Sequence, residues 1–176
     1  MNKCLTAILL ALSATASAQR LQPAPRLVVN ITIDQLRTDY IQAFAPLYGP
    51  DGFKKLLSEG RVYEAASYDF LPIDRASAVA SISSGTTPYY NNIVSSQWLD
   101  RATLRPVYCV ADSKMGTSPR LLSTSTIGDE LKVATGGSAL VYALAFSRDA
   151  AVLSAGHAAD GAVWVDDNRG VLATSA

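Results

Sequence analysis

The chain has 176 residues, 49% of them hydrophobic, and its 15 Lys and Arg balance 15 Asp and Glu to a formal charge of zero. No charge run offers a nucleic-acid surface, so any phosphate chemistry has to come from a local site. Of the two cysteines, Cys4 lies in the N-terminal segment expected to be removed and Cys109 then stands alone, which with a single histidine excludes a disulfide framework, a paired-cysteine zinc motif and a self-contained metal site built from several imidazoles.

The chain opens on Met1-Asn2-Lys3, continues with a run from Cys4 to Leu12 that is apolar apart from Thr6, and reaches the small residues Ser13 to Ala18. That order predicts a secretory signal peptide over residues 1–18, cleaved before Gln19. The run is shorter than the roughly 20 apolar residues a membrane helix needs, and no later segment approaches that length. The mature protein is therefore expected to be exported, periplasmic or secreted, with no membrane span. Residues 19–26 contain two prolines and read as a leader into a domain over 27–176.

Leu27 to Ile33 is rich in β-branched residues and predicts a buried strand that ends at Asp34. Leu36, Tyr40, Ile41 and Phe44 recur at helical spacing up to Pro46, and a second helix runs from Asp51 to Gly60. Val62 to Tyr68 is a weaker strand candidate. Asp74 caps a helix over Ala76 to Ser84 that stops at Gly85, and Ile93 to Leu99 and Val107 to Val110 are short extended pieces. Thr126-Ile127-Gly128-Asp129 forms a capping box and opens a helix through Val133, stopped by Gly136-Gly137. Ala139 to Phe146 is a strand, Ala150 to Ala155 a short helix, and Val163 to Leu172 a hairpin turning at Asp166 to Gly170. Strands alternating with helices predict an α/β layered fold with a mostly parallel sheet. Ser175-Ala176 ends the chain without a terminal element, so a truncated domain is expected.

Three places carry chemistry. Asp34, at the carboxyl end of a strand, is a hard oxygen ligand for a divalent metal or the N-cap of the following helix. Asp74-Arg75-Ala76-Ser77 offers a helix N-terminus, a guanidinium and a hydroxyl: either a phosphate site with Arg75 as an anion contact and Ser77 as nucleophile, or a simple cap. His157 pairs with Asp160 as a metal-binding or acid/base couple, or is packed and hydrogen-bonded.

The segments Leu27-Val28-Val29 through Ile33-Asp34-Gln35-Leu36-Arg37-Thr38-Asp39-Tyr40, Gly52 to Gly60, Ala80-Ser81-Ile82, Gly85-Thr86-Thr87-Pro88, Trp98 to Arg101, Ile127 to Leu131 and Ala155 to Gly161, in this order, resemble the bacterial periplasmic alkaline phosphatases, which group with type I phosphodiesterases and nucleotide pyrophosphatases. The resemblance implies an alkaline-phosphatase-like fold and a two-metal hydrolase of small-molecule phosphoesters, usually with zinc, one ion activating a hydroxyl nucleophile and the other stabilising the leaving oxygen. It places Asp34 on a metal-ligand aspartate. The family's other ligands, several aspartates and histidines, belong to a C-terminal half that these residues do not include.

Departures from the family pattern are equally specific. Counted back from Gly85-Thr86-Thr87-Pro88, the family's threonine nucleophile falls on Arg75, which cannot act as one; Ser77, two positions later, substitutes only if the turn is rebuilt. The family's phosphate-binding asparagine falls on Ser96, and its lysine and arginine fall on Ser147 and Asp149, with Arg148 between them as a remaining candidate phosphate contact. The monoesterase phosphate clamp is not recognisable. Two expectations follow: a phosphoester hydrolase with altered substrate contacts, inactive as this chain alone, or a noncatalytic relative that binds an anionic ligand or partner.

Overall fold

The computed structural model describes residues 24–175; the expected signal peptide lies outside the described residues. The chain runs through α1 (Thr38–Ala43), a 3-10 turn (Ala45–Leu47), α2 (Phe53–Glu59), α3 (Arg75–Ser84) and α4 (Pro88–Asn91). Two small antiparallel ribbons follow, β1 (Gln97–Leu99) with β2 (Pro106–Tyr108) and β3 (Ala111–Asp112) with β4 (Gly116–Thr117). The rest is α5 (Ile127–Ala134), β5 (Tyr142–Ala145), α6 (Arg148–Ala155), β6 (Gly161–Asp166) and β7 (Val171–Thr174).

The unit that organises the molecule is β5–α6–β6. Strands β5 and β6 are parallel, with Tyr142 opposite Gly161 and Ala145 opposite Trp164, and α6 makes the crossover that parallel pairing requires. The predicted hairpin adds β7 antiparallel to β6, with Asp166 opposite Val171, giving the order β5-β6-β7. Small residues on one face, Ala143, Ala145 and Ala162, let the sheet settle against the helical layer, and α6 buries Ala151, Val152, Leu153 and Ala155.

Helix α3 packs on α6. Its buried positions are nearly all small (Ala76, Ser77, Val79, Ala80 and Ser83), so the helices approach closely enough for the Ser83 hydroxyl to donate to the Leu153 carbonyl at 2.9 Å. Ile93, Cys109, Val110 and Leu122, from the connecting segments, complete the core. Capping fixes where these helices begin. The Asp74 carboxylate accepts from the Ser77 N–H, and the Thr126 hydroxyl accepts from the Asp129 N–H, each within a reciprocal box. Gly85, at φ 69°, takes the left-handed conformation that ends α3.

The N-terminal expectations fare differently. Leu27 to Ile33 forms no regular element and joins no ladder among the described residues, and its apolar side chains are exposed, Leu27 at 78%. A β-branched run favours the conformation of a strand, but hydrogen-bonding neighbours make it one, and none pairs with it among the described residues. Val62 to Tyr68 likewise forms no strand, and Ile93 to Leu99 contributes pairing only from Gln97 onward. Helices α1 and α2 form where periodicity places them, but neither buries a residue. Among the described residues, no residue before Ala76 is buried.

Candidate functional site

The N-termini of α3 and α6 lie side by side, and the residues singled out from the sequence divide between them. Asp74 is saturated. Its Oδ1 accepts from the Ser77 N–H at 2.8 Å, and its Oδ2 accepts from the Ser95 hydroxyl at 2.9 Å and from the Ser96 N–H. Burial by itself would raise the pKa of this carboxyl, but the bonds from Ser77, Ser96 and Ser95 outweigh that and hold it at about 2. The carboxylate thus ties the start of α3 to the segment that enters β1.

Ser77 is fully buried, and its hydroxyl accepts from the Asp74 N–H at 3.0 Å while donating to the Asp74 carbonyl at 3.1 Å. That geometry is a cap: the oxygen is closed to solvent and has no base beside it. Arg75, one turn-step earlier, is half exposed, and its Nε lies 3.6 Å from Oδ1 of Asp149, a carboxylate with 1% of its residue surface exposed. Arg148, the first residue of α6, stacks its guanidinium over the Tyr108 ring with Cζ 4.7 Å from the centroid. Ser147 caps the same helix through the Ala150 N–H.

Tyr108 and Cys109 line the floor of this corner. Burial raises the Tyr108 phenol, and the charge of Asp149 adds to the rise. Cys109 is pushed up to about 12, first by burial and then by the charges of Asp149 and Asp74, so it is an inert packed thiol.

The His157–Asp160 couple does not exist. His157 Nδ1 is 3.2 Å from Oδ2 of Asp129, and its Nε2 is 3.0 Å from the Leu122 carbonyl. Asp160 instead binds Lys132 at 2.9 Å and accepts from the Val141 N–H at 2.7 Å. Asp129 is the residue the sequence reading used only as a cap. Its carboxylate also takes the Thr126 N–H and hydroxyl and the Ala158 N–H, and these bonds lower its pKa although burial opposes them. His157 is therefore packed and hydrogen-bonded, at the rim of an open hollow of ≈ 490 Å³ also lined by Thr124, Lys132 and Gly136.

Asp34 caps no helix. Helix α1 begins four residues later, with Arg37 at its N-cap position and no side-chain cap bond. Asp34 lies in an exposed turn, where its charge adds to the burial that raises the Tyr68 phenol. Among the described residues no three His, Cys, Asp or Glu side chains gather as a metal site. Asp34 is a solitary carboxylate and His157 is already bonded at both nitrogens, so these residues alone do not fit a zinc pair.

The model for type I phosphodiesterases and nucleotide pyrophosphatases matches residues 28–167. The chain belongs to that family, within the alkaline phosphatase superfamily. It is 37% identical over 161 residues to alkaline phosphatase PhoV of Synechococcus elongatus, covering 86% of this chain and 29% of PhoV. It is 34% identical over 164 residues to alkaline phosphatase PafA of Elizabethkingia meningoseptica, covering 87% of this chain and 30% of PafA. The crystal structure of wild-type PafA superposes with a TM-score of 0.80 at 32% identity, over 86% of this chain and 31% of that one. The fold is accordingly that of one part of an alkaline phosphatase, and the chain spans about 30% of the length of the relatives it matches. A family hydrolysing phosphoesters frames the corner at α3 and α6. The positions equated above with nucleophile and phosphate contacts (Arg75, Ser96, Ser147 and Asp149) all lie there, joined to one another through Asp74 and the Arg75–Asp149 pair.

Proposed function

We propose that this chain carries the substrate-side region of an exported, metal-dependent phosphoester hydrolase whose nucleophile and phosphate contacts have been replaced. The observation that supports the reading is the convergence of Arg75, Arg148 and two helix N-termini on one corner, where guanidinium and backbone N–H donors stand beside the carboxylates of Asp74 and Asp149. In this reading Arg75 and Arg148 are the substrate contacts, Ser77 holds the turn as its cap, and Asp34 is one ligand of a zinc pair whose other ligands lie outside these 176 residues. Residues 1–18 are removed on export.

No step of hydrolysis can be routed through a metal held by these residues alone. What the chain itself does is place Arg75 and Arg148 at the starts of α3 and α6, keep Cys109 from water, and fix the Ser95–Ser96 segment against Asp74. This chain by itself is expected to show no chelator-sensitive phosphatase activity, because one carboxylate and one committed imidazole do not bind two ions.

A second reading, a noncatalytic relative that binds an anionic ligand or a protein partner, is favoured by the burial of Ser77 and by an arginine standing where the family has its nucleophile. The native gene product separates the two. Its intact mass and the coding sequence past Ala176 are read first, then hydrolysis of p-nitrophenyl phosphate and of its bis ester with and without EDTA. Hydrolysis abolished by EDTA, in a product with further Asp and His, supports the hydrolase. A product without hydrolysis sinks it in favour of the binding protein.

A further inference from the structure

His157 stands apart from the corner at α3 and α6, and both of its ring nitrogens face acceptors. Nδ1 lies 3.2 Å from Oδ2 of Asp129 on α5, and Nε2 lies 3.0 Å from the carbonyl oxygen of Leu122. A neutral imidazole donates from one nitrogen and offers a lone pair at the other, so it satisfies one of these partners and repels the second. Only the imidazolium donates to both. The charges about the ring suit that form. Burial raises the pKa of Asp129, but bonds from Ala158, Thr126 and His157 outweigh it and keep the carboxylate ionised. Lys132, three residues further along α5 and on the rim of the same hollow, is balanced by Asp160 at 2.9 Å. Leu122 to Ser125, Gly156 to Ala159 and the end of α6 at Ser154-Ala155 add no titratable side chain besides His157 itself. Helix α4 meets the segment through the Asn91 carbonyl, which accepts from the Ser123 N–H at 3.0 Å, and its Tyr89 and Tyr90 are exposed.

We propose that His157 is a proton-dependent staple: charged, it fastens the Leu122–Ser125 wall of the hollow to α5, and neutral, it lets that wall go at the Leu122 carbonyl. The ionised Asp129 is the stronger acceptor, so the proton that remains on a neutral ring stays at Nδ1 and the Leu122 side opens. The ring is 41% exposed, which gives solvent direct access to the proton. The wall itself is poised to move. Thr124 Oγ1 is buried in it without a hydrogen-bond partner, a cost that opening relieves by admitting water. Leu122 keeps its side chain in the core and Ser123 keeps its bond to Asn91 as a second tether, so the release is a local opening and not unfolding. The direction follows from the charge: the staple holds at low pH and is lost as rising pH removes the second ring proton.

His157 is the only histidine in the sequence, so the ring signals of the untagged chain identify themselves. The test follows its two ring nitrogens by long-range proton–nitrogen NMR from pH 5 to pH 9 and, on the same samples, the amide protection of Leu122 and Ser123. Both nitrogens are expected to carry protons at the acid end, and Nε2 is expected to lose its proton as pH rises. Over that same step the protection of Leu122 and Ser123 should fall about tenfold, while Val152 and Leu153 in α6 hold theirs. In His157→Gln the two wall amides should be poorly protected at every pH, with the step abolished. Loss of the proton from Nδ1 instead of Nε2 overturns the inference, as does wall protection that stays level while the ring titrates. A step that persists in His157→Gln overturns it too, and if that variant does not fold, the coincidence of the two curves in the unaltered chain decides alone. None of these readouts depends on phosphoester binding or hydrolysis, so this inference and the proposed function stand or fall separately.

Discussion

The stretches on either side of Ala76 are built from similar residues and end in different states. Leu27 to Leu57 contains as regular an apolar pattern as any part of the chain, yet Val29, Ile31, Leu47 and Leu56 stay in contact with solvent. From Ala76 onward, short helices with modest periodicity bury Leu153, Ile93 and Val110 completely. The difference is partnership. Patterning decides what a segment can become, whereas a second layer at the right distance decides whether the gain from burial, roughly 25 cal/mol per Å², is collected. The sheet repeats the contrast within itself: Ala143 is covered by the helices, while Leu144 and Phe146, on the opposite face, are 79% and 88% exposed.

Four substitutions probe that contrast. Gly156→Ala strikes where the two halves of the core meet. Gly156 has φ 84°, and a Cβ there comes 2.7 and 2.9 Å from the Asp129 carboxylate oxygens and also meets the Thr126 hydroxyl. Backbone strain and a clash with a buried capping box combine, so a loss of about 4 kcal/mol is expected in urea unfolding. Retention of wild-type stability would show that this corner yields freely.

Asp129→Asn leaves the shape but removes the charge that collects bonds from Thr126, Ala158 and His157, and an expected loss of about 2 kcal/mol follows. His157 ring resonances observed by NMR should shift with it, since the ring loses its carboxylate partner.

Asp74→Asn is a smaller change, near 1 kcal/mol at neutral pH, because an amide oxygen still caps α3. Its signature is in acid. The folded Asp74 pKa lies below the ordinary value of 3.8, at about 2, so its contribution is fully present above 3.8 and is lost as pH falls through 2. The unaltered protein should therefore lose stability more steeply than the variant across that window. Parallel curves would mean that the three serine bonds contribute nothing.

Leu56→Ala is the smallest. With Leu56 65% exposed and no residue of α2 buried, the effect should stay within about 0.5 kcal/mol, and amide exchange in α1 and α2 should be far faster than in α3 and α6. Slow exchange in α2 would show that the N-terminal segment has a partner after all.

What could be read in advance follows the same division. The cap at Asp74, the capping box at Thr126, the stop at Gly85 and the hairpin at Asp166 to Gly170 are local arrangements, each written within a few residues, and they form where the sequence places them. The fate of Leu27 to Ile33 was not legible, because a strand is a relation between segments. The corner at α3 was partly legible. Asp74 and Ser77 were found, but which of them is occupied, and by what, depends on Ser95 and Ser96. His157 chose a carboxylate 28 residues away over the aspartate three residues away, and only the closeness of Gly156 to Asp129, itself invisible in sequence, explains the choice.

The small-residue seam between α3 and α6 separates spacing from contact. Ala76, Ala80, Ser83, Ala151 and Ala155 line the close approach of the two helices, and the Ser83–Leu153 bond fixes their relative slide at the end far from the Arg75–Asp149 pair. Arg75, Ser96 and Asp149 are thus presented at a spacing set by residues that take no part in their contacts, as instruments are held by a frame.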